Sequence, residues 1–269
     1  MSLSEDTKRL LNKHRFTIRK SLGQNFMVDA SSLERIIKGA GITKEDTVIE
    51  VGTGTGLLTK ELSKHAKNVI SYELDKKILP IAKEYLAGTD NVELLNADIL
   101  EAAISGMDLK CVANVPYYIT TPIIEKIIEN KEHFSSAVLT VQKEFAERMA
   151  AAPGTKEYGS FTVFINFYTE PKLLFQIPKT SFLPQPAVGS AVIRLDIRKE
   201  LLVCVNDKLF FRVVRAAFSQ RRKTLRNCLL TVFDPAKTDE ALSKAGIDPK
   251  RRGETLSIRE FADISNNIA

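Results

Sequence analysis

The chain has no run of about 18 apolar residues, the length that a membrane-crossing helix needs, so no transmembrane helix is expected in its 269 residues. The opening stretch MSLSEDTKRLLNKHRF has no apolar core, and no secretory leader is expected there. Cysteine is scarce. Cys111, Cys204 and Cys228 are too scattered for a metal knuckle or a disulfide framework, which points to a reducing compartment, most simply the cytoplasm. The three histidines, His14, His65 and His133, stand apart in polar surroundings, so they read as surface residues and no metal site is expected. There is no internal repeat and no low-complexity tract. The one glycine-rich loop lacks the Gly-Lys-Ser/Thr that would make it a phosphate-cradling P-loop.

What is present is an ordinary globular composition, 44% hydrophobic and 27% charged, with an uneven distribution of charge. Residues 1–20 carry six basic and two acidic side chains, and residues 201–269 carry thirteen and eight. The net formal charge of +6 therefore leaves the middle of the chain mildly acidic. Charged ends are commonly just solvated ends. Basic ends flanking an acidic body also suit a protein that grips a polyanion, because Lys and Arg that neutralise phosphates supply most non-specific nucleic-acid affinity.

Strand-like and helix-like segments alternate through the first 200 residues. DASSLERIIKGAG reads as a helix, with Ser31 and Glu34 in capping-box spacing and Gly41 as its stop. TVIEV (47–51), NVISYE (68–73), NVELLN (91–96), KCVAN (110–114) and AVLTVQ (137–142) read as strands. Between them lie helices LLTKELSKH, Asp75 to Leu86 and IIEKIIEN, the last with Thr121 as N-cap and Pro122 as first residue. KEFAERMAA follows the fifth strand as a helix. SFTVFINFY (160–168) has strand-like composition, but Phe161, Phe164, Ile165 and Tyr168 keep helical spacing and predict a helix. KLLFQI (172–177) and AVIRLDI (191–197) form a late strand pair, and from about Leu201 the pattern is wholly helical. The sum is an α/β chain with a mostly parallel sheet covered on both faces. The domain expectation is a basic arm over 1–20, an α/β domain over 21–199 and a helical domain over 200–269.

The glycine loop EVGTGTG (50–56) follows the first of these strands and opens a helix. Gly52, Gly54 and Gly56 let the backbone turn sharply and approach a ligand without a Cβ in the way. Such loops serve dinucleotides, flavins and nucleosides alike, so the surroundings decide. Glu73 ends the second strand about 20 residues after the loop, where an acid accepts hydrogen bonds from ribose hydroxyls. Asp98, in NAD, follows the third strand, where a carboxylate accepts from an adenine amino group. Asn114 ends the fourth. Any one of these could be a cap or a surface charge. Four successive strand ends that each carry a glycine loop or a polar group point instead to a nucleoside cofactor, which NAD and S-adenosylmethionine both satisfy.

The corner Asn114-Val115-Pro116-Tyr117 separates the two. A plain turn with a packed tyrosine would look the same, but the corner also suits an adenine whose exocyclic amine must attack a methyl sulfonium. That nitrogen is a poor nucleophile because its lone pair is delocalised into the ring. Asn114 Oδ1 and a backbone carbonyl such as that of Val115 accept its hydrogens, Pro116 fixes the bend, and the Tyr117 ring stacks on the base. Positioning and electrostatics carry the reaction, and no strong base is needed.

NVPY resembles the (Asn/Asp)-x-Pro-Tyr signature of amino-directed methyltransferases. KSLGQNFMVD (20–29), EVGTGTG, NADIL, NVPYYITTPI, QKEFAERM, SFLPQPAVGSAVIRL (181–195), AFSQRRKTLRN (217–227) and RRGETLSIREF (251–261) occur in order across nearly the whole chain. Together they resemble the small-subunit ribosomal RNA adenine dimethyltransferases of bacterial and archaeal type. The resemblance implies a Rossmann-like class I methyltransferase fold, with a seven-stranded, mostly parallel sheet, helices on both faces and a small all-α C-terminal domain. It implies S-adenosylmethionine as cofactor and dimethylation of two adjacent adenosines near the 3′ end of small-subunit RNA. It also implies site residues. Asn25 and Met27 close over the methionine end, Gly52 and Gly54 line the loop, Glu73 holds the ribose and Asp98 meets the adenine. Asn114 lies between cofactor and target, and Phe182 faces Tyr117 across a base removed from its stack. Val115 and Met27 stand where Leu is usual, and Gly189 replaces a frequent Asp, which puts any polar role there in doubt.

On a helical wheel over 208–230, Arg215, Arg222, Lys223 and Arg226 fall within about 100° of arc, opposite Phe210, Val213, Val214, Ala217, Leu225 and Cys228. This reads as an RNA-binding stripe, although a solvated face has the same pattern. Arg221 falls in the apolar arc. Either it is partly buried against a carboxylate, or the helix breaks near Ser219–Gln220 and re-aims the QRRK cluster, Arg221 included, toward RNA; the break is the expectation. The partner expected is small-subunit RNA within a partly assembled particle, bound by a monomer. Three alternatives remain: a large-subunit RNA methyltransferase of the macrolide-resistance type, a DNA adenine methyltransferase, and a non-catalytic assembly factor. The AFSQRRKTLRN and RRGETLSIREF stretches favour the small-subunit branch over the first, and no separate sequence-reading domain supports the second. The intact Asn114, Tyr117, Glu73 and Asp98 argue against the third.

Overall fold

A computed structural model describes residues 2–19 and 22–268, so Lys20 and Ser21 of the KSLGQNFMVD stretch lie outside the described residues. In chain order the elements begin α1 (Leu3–Lys13), β1 (Phe26–Met27), α2 (Ala30–Ala40), β2 (Thr47–Val51), α3 (Leu57–His65), β3 (Asn68–Tyr72), α4 (Leu79–Tyr85), β4 (Val92–Leu95) and β5 (Leu109–Asn114). They continue α5 (Thr120–Glu129), β6 (Phe134–Gln142), α6 (Lys143–Met149), α7 (Ser160–Tyr168), β7 (Thr169–Ile177), β8 (Phe182–Leu183) and β9 (Ser190–Ile197). Helices α8 (Asp207–Ala217), α9 (Leu225–Leu229), α10 (Pro235–Lys244) and α11 (Ile258–Asn267) complete the list.

Seven strands form one sheet in the order β4-β3-β2-β5-β6-β9-β7. The five from β2 to β6 pair in parallel, and β9 runs antiparallel to β6. The inner strands are nearly continuous apolar runs because both of their faces are covered. On one face Val48, Val69, Val112 and Val138 meet Leu33, Ile36, Leu57 and Leu62 of α2 and α3. On the other, Ile49, Val51 and Cys111 meet Ile123 and Ile127 of α5. The chain moves outward from β2 to β4 and then returns to place β5 on the other side of β2. The order therefore reverses beside β2, and the crevice beyond its carboxyl end is where such sheets bind ligands.

Some boundaries differ from the sequence reading. Helix α2 is capped by Asp29, whose side chain accepts from Ser32 N–H at 3.2 Å, and not by a Ser31–Glu34 box. Helix α4 starts at Leu79 because Asp75 first closes a turn, its Oδ1 accepting from Lys77 N–H at 3.0 Å. Helix α5 starts at Thr120, so Thr121 is not its cap; Pro122 sits in the first turn, where a missing N–H costs nothing.

The chain divides into two compact units. One runs up to Ala146 and adds Lys172–Ile197; the other is Glu147–Pro171 with Arg198 onward. A single cut near residue 200 does not describe this division. The reason is packing: Val163 and Phe167 of α7 are buried in one cluster with Phe210, Val213, Leu225, Leu242 and Phe261. The basic N-terminal stretch is not a loose arm over its described length. Helix α1 has a capping box at Ser2 and Glu5, and its Leu10 and Leu11 cluster with Phe26, Ile78 and Ile81. The wheel over 208–230 also fails as one helix. α8 stops at Ala217, α9 begins only at Leu225, and the residues between form turns.

Candidate active site

A cavity of about 250 Å³ opens at the carboxyl ends of β2, β3 and β5 in the first unit. Gly52 and Gly54 line it and Gly56 closes the same loop, at φ +83°, +55° and +87°, the left-handed region that a side chain disfavours. A Cβ on Gly54 would stand 3.1 Å from Cδ1 of Phe26, so the loop also needs glycine for space. The loop is held from below. Gly52 N–H donates to the Tyr72 carbonyl at 2.8 Å, and Thr53 Oγ1 lies 2.6 Å from Ser71 Oγ.

Glu73, one residue past β3, is buried and accepts Gly54 N–H at 2.9 Å on one oxygen and Asp75 N–H at 2.8 Å on the other. Burial pushes its carboxyl up from the ordinary value, and these two backbone donors oppose the push. Asp98 lies beyond β4, where its Oδ1 accepts from Leu100 N–H at 2.9 Å and closes a turn. Among the described residues its Oδ2 has no protein partner. Leu74, Ile99 and Tyr118 supply apolar surface between these carboxylates. A loop without Cβ atoms, one buried carboxylate beside it, a second carboxylate oxygen left over and apolar walls between them fit an adenosyl group.

Asn114 is the last residue of β5 and its Nδ2 donates to the Asn25 carbonyl at 2.8 Å. A carbonyl only accepts, so the nitrogen side of the amide must face Asn25, and Oδ1 is turned away from it toward incoming donors. Val115 N–H donates to the Thr140 carbonyl at 3.2 Å, which ties the corner to β6. The Pro116 carbonyl is taken by Ile119 N–H at 3.1 Å, in the 3₁₀ turn Tyr117–Ile119. Tyr117 is pinned by its hydroxyl, 2.7 Å from Ser190 Oγ at the start of β9. Burial pushes the Tyr117 phenol up, so it stays protonated.

Asn25, Met27, Gly52, Gly54, Glu73, Asp98, Asn114, Pro116 and Tyr117 all line this one cavity. Phe182 is not among the residues that line it. It pairs with Met27 across the β1–β8 ladder and is 3% exposed, packed among Leu33, Ile37 and Ile177. Sequence reasoning missed the Asn25 carbonyl, Ser190 and Tyr118. Ser190 lay within the quoted PAVGS stretch, but nothing local marked it as Tyr117's partner.

The basic residues lie in the second unit. Arg215, Arg222 and Lys223 are exposed, the last two in the turns between α8 and α9. Arg221 is also exposed. Its Nη2 donates to the Lys156 carbonyl at 2.9 Å and its Nε stands 3.8 Å from Glu254, so the carboxylate is there without burial. Arg226 is half-exposed and pairs at the surface with Asp239, with Nε 2.5 Å and Nη2 2.7 Å from its two oxygens.

The family model for ribosomal RNA adenine dimethylase matches residues 15–269. The chain is 47% identical over 277 residues to a Bacillus licheniformis ribosomal RNA small subunit methyltransferase A, covering 97% of this chain and 95% of that one. A Clostridium botulinum protein of the same name is 48% identical over 270 residues, covering 98% of both. Among solved structures, a Plasmodium falciparum dimethyladenosine transferase aligns with TM-score 0.78 and 29% identity, covering 88% of this chain and 94% of that one. The 23S rRNA methyltransferase ErmE aligns with TM-score 0.73 and 27% identity, covering 90% and 99%.

Proposed function

The chain belongs to the ribosomal RNA adenine dimethylase family, and from that premise we propose how its cavity and corner perform the reaction. The protein is an rRNA adenine dimethyltransferase that uses S-adenosylmethionine to dimethylate adenine in small-subunit ribosomal RNA. The large-subunit alternative is not favoured: identity is 48% to a small-subunit enzyme and 27% to a 23S enzyme. The target is the pair of adjacent adenosines near the RNA's 3′ end. They are presented by a partly assembled subunit in the cytoplasm and bound by a monomer. The part in subunit biogenesis follows, since an enzyme that reads a partly built particle also reports on its assembly.

The cofactor supplies a methyl carbon made electrophilic by its sulfonium. The protein's residues do the rest. Glu73 accepts from the ribose hydroxyls with the lone pairs that Gly54 and Asp75 leave over, and Asp98 Oδ2 accepts from the cofactor's adenine amine. Asn25 and Met27 bound the methionine end. Asn114 Oδ1 accepts one hydrogen of the target amine. The second acceptor is the Val115 carbonyl, the backbone oxygen next to Asn114 in the corner. Two acceptors on one side of the amine favour a pyramidal nitrogen with its lone pair facing the methyl. Tyr117, held by Ser190, offers its ring to the flipped base, a contact worth about 1–3 kcal/mol per stacked base. Phe182, paired with Met27 of the cavity wall, is the residue to face Tyr117 across the base. Arg215, Arg221, Arg222, Lys223 and Arg226 supply phosphate contacts, Arg226 from a surface pair with Asp239.

The observation that carries this reading is the Asn114–Asn25 hydrogen bond, which leaves Oδ1 as an oriented acceptor. Its test is Asn114→Ala in single-turnover methyl transfer to unmethylated small subunits, alongside a particle-binding assay. Transfer should be abolished and binding nearly kept. Retained turnover would remove Asn114 from the amine-positioning role.

A further inference from the structure

We propose that Asp75, which lies outside the cavity, is a positioning residue: through Gln24 it fixes the strap of residues 22–25 and thereby aims the Asn114 amide. The proposal rests on the methyl-transfer reading above. Asp75 is two residues past Glu73, and its side chain is only 1% exposed. Its Oδ2 accepts from Gln24 Nε2 at 3.0 Å, while Oδ1 accepts from Lys77 N–H at 3.0 Å and stands 3.6 Å from Arg19 Nη1. Gln24 Oε1 in turn accepts Arg19 N–H at 2.8 Å. A buried carboxylate is kept only where donors compensate its lost hydration, and two of these three donors belong to the chain that leads into the strap.

The strap carries the catalytic consequence. The residue after Gln24 is Asn25, whose carbonyl takes the Asn114 Nδ2 hydrogen. Gly23, at φ +60°, lies against the corner itself: a Cβ there would be 3.3 Å from Pro116 Cβ and from the Tyr118 ring. Beyond Asn25 the chain is fixed again, where Phe26 and Met27 pair with Leu183 and Phe182. The Asn25 carbonyl is therefore suspended between a strand pair on one side and the Gln24–Asp75 bond on the other. Releasing Gln24 frees that carbonyl to shift, and a shift of the order of 1 Å in a positioning group costs about a hundredfold in rate.

The test uses the full chain with Asp75→Ala, Gln24→Ala, the double variant and Gln24→Glu. Gln24→Glu keeps the size of the side chain but turns the donor into a carboxylate facing Asp75. Three quantities are read: cofactor affinity by calorimetry, the single-turnover rate at saturating cofactor and small subunits, and the ¹⁵N side-chain amide signal of Asn114, assigned by its loss in Asn114→Ala. At saturating cofactor the rate should fall about tenfold to a hundredfold in each variant, and cofactor affinity should fall with it, because Gln24 and Asn25 both line the cavity. The double variant should be no slower than the slower single one, Gln24→Glu should be at least as slow as Gln24→Ala, and the Asn114 amide signal should move in all four. An unmoved signal, unchanged rates, or losses that add in the double variant would overturn the proposal. If the unaltered chain transfers no methyl while the signal still moves, the strap is right and the methyl-transfer reading falls.

Discussion

Replacing Glu50 by Gln should stabilise the first unit at alkaline pH and leave it nearly unchanged at acidic pH. Glu50 is the fourth residue of β2 and fully buried. Its Oε2 accepts from Thr59 Oγ1 at 2.6 Å and Ser71 Oγ at 2.5 Å, and its Oε1 has no partner. Burial, reinforced by the charge of Glu73 and opposed by the two hydroxyls, pushes its carboxyl from 4.5 to about 8. Below pH 4.5 the group is protonated whether the chain is folded or not, and it exerts no pH-dependent effect. As pH rises the unfolded chain loses the proton first, so stability falls by about 1.4 kcal/mol per pH unit until the folded group also ionises near pH 8. The span is on the order of 5 kcal/mol. Glutamine accepts the same two hydroxyls and places its amide nitrogen where Oε1 now stands unpaired, so at low pH the exchange is close to neutral. Thermal unfolding of parent and variant at pH 5.5 and pH 8.5 would show it. The variant's midpoint should pull ahead by several degrees at the higher pH. Equal differences at both pH values would refute the reasoning and show that Glu50 is already ionised in the fold.

Two further perturbations separate roles at the site and in the second unit. Tyr117→Phe loses the Ser190 bond but keeps the ring, so turnover should fall less than about tenfold, whereas Tyr117→Ala should lose the full stacking contact of about 1–3 kcal/mol; equal losses in a steady-state methylation assay would contradict the stacking role. Arg222→Glu with Lys223→Glu should weaken particle binding and flatten its dependence on salt, and unchanged affinity in a salt titration would sink the basic-cluster reading.

The sheet and the loop residues of the cavity were legible because their signals are local. Parallel strands buried on both faces read as apolar runs, and a loop with Gly52, Gly54 and Gly56 after the first of them can be read without any partner. Glu73, Asp98 and Asn114 stood out because each follows or ends a strand. What was not legible depends on distant residues. The Tyr117–Ser190 pair spans 73 positions and the Asn114–Asn25 pair spans 89, so neither leaves a local pattern. The Met27–Phe182 pairing joins two-residue strands far apart in the chain, so it too leaves no local pattern. Helix α7 was recognised as a helix, but its unit was not, because only the packing of Phe167 against Phe210 assigns it. The break after Ala217 was signalled by one residue, Arg221, that had no place on the wheel.

The most direct measurement is transfer of labelled methyl from S-adenosylmethionine to unmethylated small subunits, to large subunits and to duplex DNA, with the product nucleosides identified. The account predicts dimethyladenosine from small subunits alone. Label in large subunits or DNA would contradict the substrate, and no label from a chain that still binds the cofactor would contradict the enzymatic reading altogether.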